Sequence, residues 1–172
     1  MDLEVLYNEA YPRLYRYCHR LTGEADVAED VAQEAFVRLW YRQVAGEPKA
    51  LTAWLFKVAT HLIRDRARAT ENRRRLLEIN PVTPGGTEAP DERAERRQVQ
   101  ERVRSVLGTL ATRDQVMLLM REEGFGYREI AEAADVAPAS VGTLLARALK
   151  RFAAAYKETW GEALTVDEAH GS

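Results

Sequence analysis

A segment rich in proline and glycine divides this chain of 172 residues into two parts. Residues 80–92 read NPVTPGGTEAPDE and contain three of the six prolines and two adjacent glycines. Proline lacks a backbone N–H and glycine loses much conformational freedom on ordering, so this segment cannot continue a helix. It also has too few apolar groups to pack. The sequence therefore predicts two modules joined by a flexible linker.

Both modules have the hydrophobic spacing of helices. Apolar residues recur at intervals of three and four, and no run alternates apolar with polar residues as a strand does. The predicted fold class is all-α, with two small helical domains joined by the linker. The predicted boundaries are 1–78 for the first domain, 79–94 for the linker, 95–158 for the second domain and 159–172 for an acidic tail.

One helix of the first domain can be placed in detail. Asp26 followed three residues later by Glu29 is the pattern of a capping box, which predicts a helix from there to about Arg42. The helical period predicts that this helix buries Val27, Val31, Ala35, Leu39 and Trp40.

The composition excludes several classes of protein. No stretch approaches the roughly 18 uncharged apolar residues that cross a bilayer, and acidic residues from position 2 onward differ from a signal peptide. We therefore expect a soluble cytoplasmic protein with no membrane insertion. Cys18 is the only cysteine and the three histidines lie far apart, so neither an internal disulfide nor a metal site is expected. No nucleophile–base set is present, so we expect no catalytic residues and no cofactor.

The charges are unevenly distributed along the chain. The formal net charge is −2, which alone gives no reason to expect a nucleic-acid partner. Residues 1–34, however, hold eight acidic residues and three arginines, whereas residues 57–75 hold seven basic and two acidic residues. From residue 158 onward there are four acidic residues and no lysine or arginine. Local fields therefore matter more than the total charge.

Two helix faces are candidate binding surfaces. In the segment 26–40, one face away from the core carries four residues at offsets 0, 3, 4 and 7: Asp30, Gln33, Glu34 and Val37. This face is either a solvated acidic surface or a site for protein docking. In the segment 54–75, a cationic stripe at offsets 0, 4, 7 and 11 consists of Lys57, His61, Arg64 and Arg68. Such a stripe is either a soluble surface or a site that neutralises phosphates.

The second module contains the pattern of a helix-turn-helix. Residues 126–152 read GYREIAEAADVAPASVGTLLARALKRF. A short helix ends at a turn, and Pro138 suits the first position of a longer helix. Helix-turn-helix modules bind either DNA or protein, and the pattern alone leaves both open.

Three motifs in order resemble the extracytoplasmic-function (ECF) sigma factors, which have only regions 2 and 4 of the sigma-70 family. They are AEDVAQEAFVRLW, WLFKVATHLIRDRAR at 54–68, and the helix-turn-helix that ends in LLARALKRF. The resemblance covers roughly residues 5–155. It identifies the first domain with region 2 and the second with region 4. It implies a transcription initiation factor that binds core RNA polymerase and directs it to promoters through their −10 and −35 elements.

The resemblance also implies roles for individual residues. The helix at 26–42 would dock on the β′ clamp helices of polymerase through the four-residue face defined above. Region 4 would contact the β flap, and an anti-sigma factor is a further implied partner. The −10 element would be engaged by Lys57, His61, Arg64, Asp65 and Arg68. The −35 element would be engaged by Ser140, Thr143, Arg147, Lys150 and Arg151.

The sequence departs from the family pattern at four positions. His61 stands where the family has the asparagine of an Asn-x-x-x-Asp pair. Asp135 occupies a turn position where glycine is preferred, although aspartate tolerates a positive φ better than most residues. Gly142 and Thr143 stand where a basic residue and a serine are common, and Gly142 supplies no base contact.

Two other classes remain as alternatives. A sigma-like decoy would sequester an anti-sigma factor without binding promoters, and its signature would be the loss of the basic face. A helix-turn-helix repressor would need a sensor pocket or a dimer helix in the first module, and neither is evident.

Overall fold

The computed structural model describes residues 2–77 and 93–161, and it confirms the all-α fold class. Within these ranges there is no strand. Seven α-helices follow one another, and a short 3₁₀ turn at Pro138–Ser140 precedes the last. Their bounds are α1 Leu3–Thr22, α2 Ala25–Tyr41, α3 Pro48–Leu77, α4 Arg93–Thr109, α5 Thr112–Glu122, α6 Tyr127–Ala134 and α7 Val141–Trp160.

The first three helices pack around one core. The buried face of α1 presents side chains at helical spacing to α2 and α3: Leu6, Ala10, Leu14, Tyr17 and Cys18. The Tyr17 hydroxyl lies 2.7 Å from the Thr60 hydroxyl, which itself donates to the Phe56 carbonyl oxygen. Tyr17 is therefore the donor to Thr60, and both buried hydroxyls have hydrogen-bond partners.

The start of α2 differs from the prediction. The helix begins at Ala25 with Glu24 as N-cap, and no side chain makes a capping bond, so the prediction of an Asp26 capping box was wrong. The preceding turn accounts for this difference. Gly23 ends α1 with φ 71°, and the Thr22 hydroxyl accepts from the Glu24 backbone N–H at 3.3 Å. That turn directs the chain into the helix one residue before Asp26.

The predicted burial of Trp40 was also wrong, because 66% of this side chain is exposed. Leu39 takes the inner position at this turn of α2 and is 4% exposed. Adjacent helical residues point about 100° apart, so only one of the two can face the core. The remaining predicted inner residues of α2 are buried or partly buried.

The second module consists of α4 to α7. Helices α5, α6 and α7 contact one another, and α4 packs on α7. Helix α4 begins at Arg93, so residues 93–94 of the predicted linker are helical, and α7 extends two residues beyond 158. The rest of the predicted linker, and residues 162–172 of the predicted acidic tail, lie outside the described residues.

The two modules pack against each other. Helix α3 contacts α6, and α1 contacts α5. At the centre, the rings of Phe56 from α3 and Phe125 from the α5–α6 loop lie 4.8 Å apart, and both side chains are buried. The buried residues of the two modules form one continuous cluster. The sequence-based division into two tethered modules did not include this contact.

Candidate functional site

The candidate docking face on α2 is open to solvent. Asp30, Gln33 and Val37 are exposed and Glu34 is half-buried, so all four predicted residues share one surface. Glu34 accepts a charge-assisted hydrogen bond from Arg38 at 2.8 Å, and Gln33 donates to Glu29 at 3.1 Å. These bonds within the helix hold the polar groups in an ordered row, which suits recognition of a partner.

Two aromatic residues extend this end of α2 and were missed. Tyr41 is 81% exposed, and it lies 11 residues beyond Asp30, which is the same face of the helix. Trp40 is exposed beside it. Large exposed aromatic residues mark interaction surfaces more often than isolated small apolar ones do. The sequence signal for Tyr41 was its position 11 residues after Asp30, which continues the offsets 0, 3, 4 and 7 of this face.

The cationic stripe on α3 lies partly beneath the second module. Arg64 donates to the Asp135 carboxylate at 2.8 Å and to the Ala134 carbonyl oxygen at 3.3 Å, and its side chain is 17% exposed. His61 Nε2 lies 3.7 Å from the Asp135 carboxylate, and Lys57 lies 3.5 Å from Glu132. Three of the five predicted −10 residues therefore face α6 and its C-terminal turn.

The remaining two residues of this set lie on the open part of α3. Asp65 and Arg68 are exposed. Arg68 makes no ion pair within residues 2–77 and 93–161. The structure thus places the five predicted residues on one side of α3 but divides them into a covered group and an open group.

The helix-turn-helix is formed as predicted. Asp135 ends α6 in the left-handed conformation, with φ 54° and ψ 48°, so the turn accommodates aspartate where the family prefers glycine. Ile130 and Ala131 are buried, and Val136 N donates to the Ala131 carbonyl oxygen at 3.1 Å. This geometry holds α7 across α6 with its outer face free.

Four of the predicted −35 residues share the outer face of the second helix. Ser140 ends the 3₁₀ turn, and with Thr143, Arg147 and Lys150 it follows offsets 0, 3, 7 and 10. All four are exposed. Within the part of the chain that the structure describes, Arg147 and Lys150 make no ion pair, so both cations are available to a ligand.

Arg151 is placed differently from the other four. Its guanidinium donates to the Asp114 carboxylate at 2.6 Å, and the Asp114 side chain is only 3% exposed. A buried carboxylate without a partner is costly, so this pair ties α7 to the N-terminal turn of α5. The arginine side chain is half exposed and spans from this pair to the surface.

Gly142 faces an aromatic ring. A Cβ atom at this position would lie 3.4 Å from the Tyr127 ring, which is ordinary van der Waals contact. The Arg121 guanidinium lies over the same ring, 5.6 Å from its centroid. Tyr127 therefore occupies the space beside the start of α7 that a side chain at position 142 would enter.

The environment of Cys18 and the spacing of possible metal ligands can be described from the structure. Burial raises the pKa of the Cys18 thiol to about 12, so the reactive thiolate is disfavoured. Among residues 2–77 and 93–161, no group of three His, Cys, Asp or Glu residues is arranged to hold a metal ion. In the same ranges no helix is both long and apolar enough to cross a membrane.

Two sigma-70 family models match the chain. Residues 6–74 match the family model for sigma-70 region 2, and residues 100–152 match the model for sigma-70 region 4. The first match covers most of α1 to α3, including the cationic stripe and the four-residue docking face on α2. The second covers most of α4 to α7, including the helix-turn-helix.

Curated relatives of this chain are sigma factors, and several of them are ECF RNA polymerase sigma factors. SigL of Mycobacterium tuberculosis is 42% identical over 73 residues, which is 41% of this chain and 41% of SigL. SigG of the same species is 31% identical, covering 83% of this chain and 45% of SigG. The alignments thus span less than half the length of these two relatives. The ferric citrate uptake sigma factor FecI of Escherichia coli is 27% identical and matches 87% of this chain and 88% of FecI.

A solved structure has the same fold. The sigma factor RpoE of Bartonella quintana, determined in complex with the anti-sigma factor NepR, superposes with a TM-score of 0.69. The superposition covers 91% of this chain and 97% of that chain at 19% identity. With regions 2 and 4 in order, the chain belongs to the sigma-70 family. Within that family it is an ECF sigma factor.

Proposed function

We propose that this protein is a transcription initiation factor that binds core RNA polymerase and directs it to promoters with −10 and −35 elements. The observation that carries this proposal is the presence of regions 2 and 4, with an exposed row of polar and basic residues on the second helix of the helix-turn-helix. A decoy without promoter contacts has no use for such a row.

The face on α2 is the proposed site of contact with the β′ clamp helices. Its acidic and amide groups offer hydrogen-bond acceptors, and Val37 and Tyr41 add exposed apolar area. An interface of this kind combines a desolvated apolar centre with polar groups that fix orientation. The β flap is the proposed second contact on polymerase, made by region 4.

DNA contact is proposed to be divided between the two modules. Lys57, Arg64 and Arg68 would neutralise phosphates near the melted −10 element, while His61 and Asp65 offer hydrogen bonds to unstacked bases. The exposed row on α7 suits the major groove of the −35 element, where the second helix of such a motif lies. Polymerase would carry out the chemistry, so the protein itself is proposed to have no enzymatic activity and to act in the cytoplasm.

An anti-sigma factor is a further proposed partner. The related fold of the Bartonella quintana sigma factor was determined with such a protein bound. This supports an anti-sigma partner here without giving its contact surface.

Run-off transcription with core polymerase on a library of duplex and pre-melted promoters tests the proposal. We expect a defined subset of promoters to give transcripts only when the protein is added. Absence of transcription, together with binding of an anti-sigma factor, would favour the decoy alternative.

A pair of variants tests the docking assignment in the same assay. Asp30→Ala with Gln33→Ala should weaken binding to core polymerase about tenfold or more, because polar groups in an interface centre are costly to lose. Asn8→Ala with Glu9→Ala removes the same kinds of group from an exposed part of α1 and should leave binding unchanged. Equal affinities for the two double variants would refute the assignment.

A further inference from the structure

The contact between the two modules has a segregated charge pattern. In the ion pairs that join the described parts of the two modules, each cation belongs to the first module and each carboxylate to the second. The pairs are Arg13–Glu123 at 3.0 Å, Arg16–Glu123 at 3.7 Å, Arg20–Glu122 at 2.8 Å, Lys57–Glu132 at 3.5 Å, His61–Asp135 at 3.7 Å and Arg64–Asp135 at 2.8 Å. Such complementarity fixes the orientation of two surfaces.

The edge of the second module that makes these pairs is here called the acidic edge, and it consists of Glu122, Glu123, Glu132 and Asp135. Its first two members end α5 and contact α1. Its last two lie on α6 and its C-terminal turn and contact α3. The carbonyl of Ala134 adds the negative end of the α6 dipole beside Arg64.

An apolar centre accompanies the ion pairs. Phe56 and Phe125 pack together between the modules, and the Arg13 guanidinium lies 5.9 Å from the centroid of the Phe56 ring. The Glu123 side chain is only 9% exposed, and its backbone carbonyl accepts a second bond from Arg13 at 2.9 Å. The contact thus has a buried apolar centre with charged groups around it, as specific interfaces do.

We propose that the acidic edge is a docking surface for the basic face of the first module of the same chain, and that it competes there with nucleic acid. The carboxylates of Glu132 and Asp135 hold Lys57 and Arg64 in the positions that phosphates would otherwise take. In the free protein this docking covers Lys57, His61 and Arg64 of the −10 face, and separation of the modules uncovers them. The docking of the acidic edge on the first module is argued from the contacts above. Its competition with nucleic acid rests on the proposed function of α3.

The strength of the contact suits a reversible closure. Most of the paired side chains are partly exposed. Each exposed pair raises the equilibrium constant for docking by a factor of about five at most. Because both modules belong to one chain, docking acts at an effective concentration on the order of millimolar. Salt weakens exposed pairs, so the closed form should open as ionic strength rises.

Charge reversal on the α1–α5 side tests docking without touching the proposed DNA-binding residues. In the full chain, Arg13→Glu with Arg20→Glu, or Glu122→Arg with Glu123→Arg, replaces attraction by repulsion. Small-angle X-ray scattering at low salt should show the radius of gyration rising by several ångströms in each double variant. Combining all four substitutions restores opposite charges and should return the radius to that of the wild type.

Removal of two carboxylates tests competition with nucleic acid. Glu132→Gln with Asp135→Asn keeps side-chain shape, and asparagine also tolerates the left-handed turn at 135. The free full chain should then bind a single-stranded oligonucleotide of about 20 nucleotides roughly fivefold more tightly, because the three pairs that these carboxylates make with α3 are weakened. The control, Glu101→Gln with Glu158→Gln, removes the same charge from exposed positions on α4 and α7.

The two measurements separate the possible failures. An unchanged radius of gyration in both double reversals, or no recovery in the fourfold variant, would overturn docking. A radius that responds as expected, with oligonucleotide affinity no higher than in the control, would overturn competition and the assignment of α3 to DNA. Both expected results together would support the closed form. Helicity measured by circular dichroism identifies any variant that has failed to fold.

Discussion

The two basic helices of this protein, α3 and α7, have similar sequence patterns and different surroundings. Both carry cations on one face at helical spacing. On α3, Lys57 and Arg64 are already paired with carboxylates of the other module. On α7, Arg147 and Lys150 face solvent. Spacing therefore shows which residues share a face, whereas availability to a ligand depends on what another part of the chain places over it.

The largest expected effect concerns DNA binding by the free protein. Arg147→Ala with Lys150→Ala should reduce affinity for duplex promoter DNA about tenfold and lower the salt slope by about 2, at roughly 0.9 per phosphate contact. Lys57→Ala with Arg64→Ala should change both quantities much less, because those cations are covered. Fluorescence anisotropy between 50 and 200 mM salt measures both. Equal losses for the two pairs would contradict the difference between the helices.

In the polymerase complex, substitutions on α3 should affect DNA binding strongly, in contrast to their small effect in the free protein. The modules must reach separate promoter elements there, so we expect α3 to be uncovered. Its segment 57–75, which has seven basic and two acidic residues, should then engage the melted strand. Arg64→Ala with Arg68→Ala should then lower the yield of open complex on one promoter by tenfold or more, with a salt slope reduced by about 2. Permanganate footprinting of melted thymines gives the yield. A yield equal to that of wild type would mean that α3 is only a solvated surface.

Arg151 sharpens the comparison from within α7, since it is the one predicted −35 residue with a buried partner. Arg151→Ala should remove the only hydrogen-bonded cation among the described residues from the buried Asp114 carboxylate, leaving Arg113 at 4.0 Å, and should cost about 2 kcal/mol, or a fall in Tm of roughly 4–8 °C. Arg147→Ala, on the exposed row, should shift Tm by less than about 2 °C. Thermal denaturation followed by circular dichroism measures both. If the two variants had the same Tm, the Arg151–Asp114 pair would not stabilise the fold.

Local signals explain which parts of the fold could be predicted. Gly23 ends α1 with a positive φ, and Asp135 accepts one, as their residue types indicate. The Asp26 capping box failed because the Thr22–Gly23 turn, rather than the strongest capping pattern, decides where α2 begins. The predicted burial of Trp40 was wrong because this apolar residue lies next to the buried stripe of α2 and was counted as part of that stripe. Periodicity alone cannot separate neighbours at the margin of a buried face.

The contact between modules could not be predicted by the same reasoning, because it joins residues that lie 70 to 110 positions apart. Its one local trace is on α1. Arg13, Arg16 and Arg20 lie at offsets 0, 3 and 7 in a segment that is otherwise acidic, and they form a basic stripe that faces α5. The stripe indicates a negatively charged partner, but nothing local identifies that partner as the second half of the chain.

The smallest expected effect concerns Gly142, at the start of the exposed helix. Gly142→Ala should stabilise the protein by up to about 1 kcal/mol, since glycine is unfavourable in a helix and the new methyl group would touch Tyr127 at an ordinary distance. Gly142→Lys also removes the glycine, but its longer side chain must displace the Tyr127 ring from beneath Arg121. We therefore expect Tm to rise by about 2–4 °C for alanine and by less for lysine. In the Tyr127→Ala background this difference should vanish. A larger rise in Tm for Gly142→Lys than for Gly142→Ala in the wild-type background would show that the Tyr127 ring does not restrict position 142.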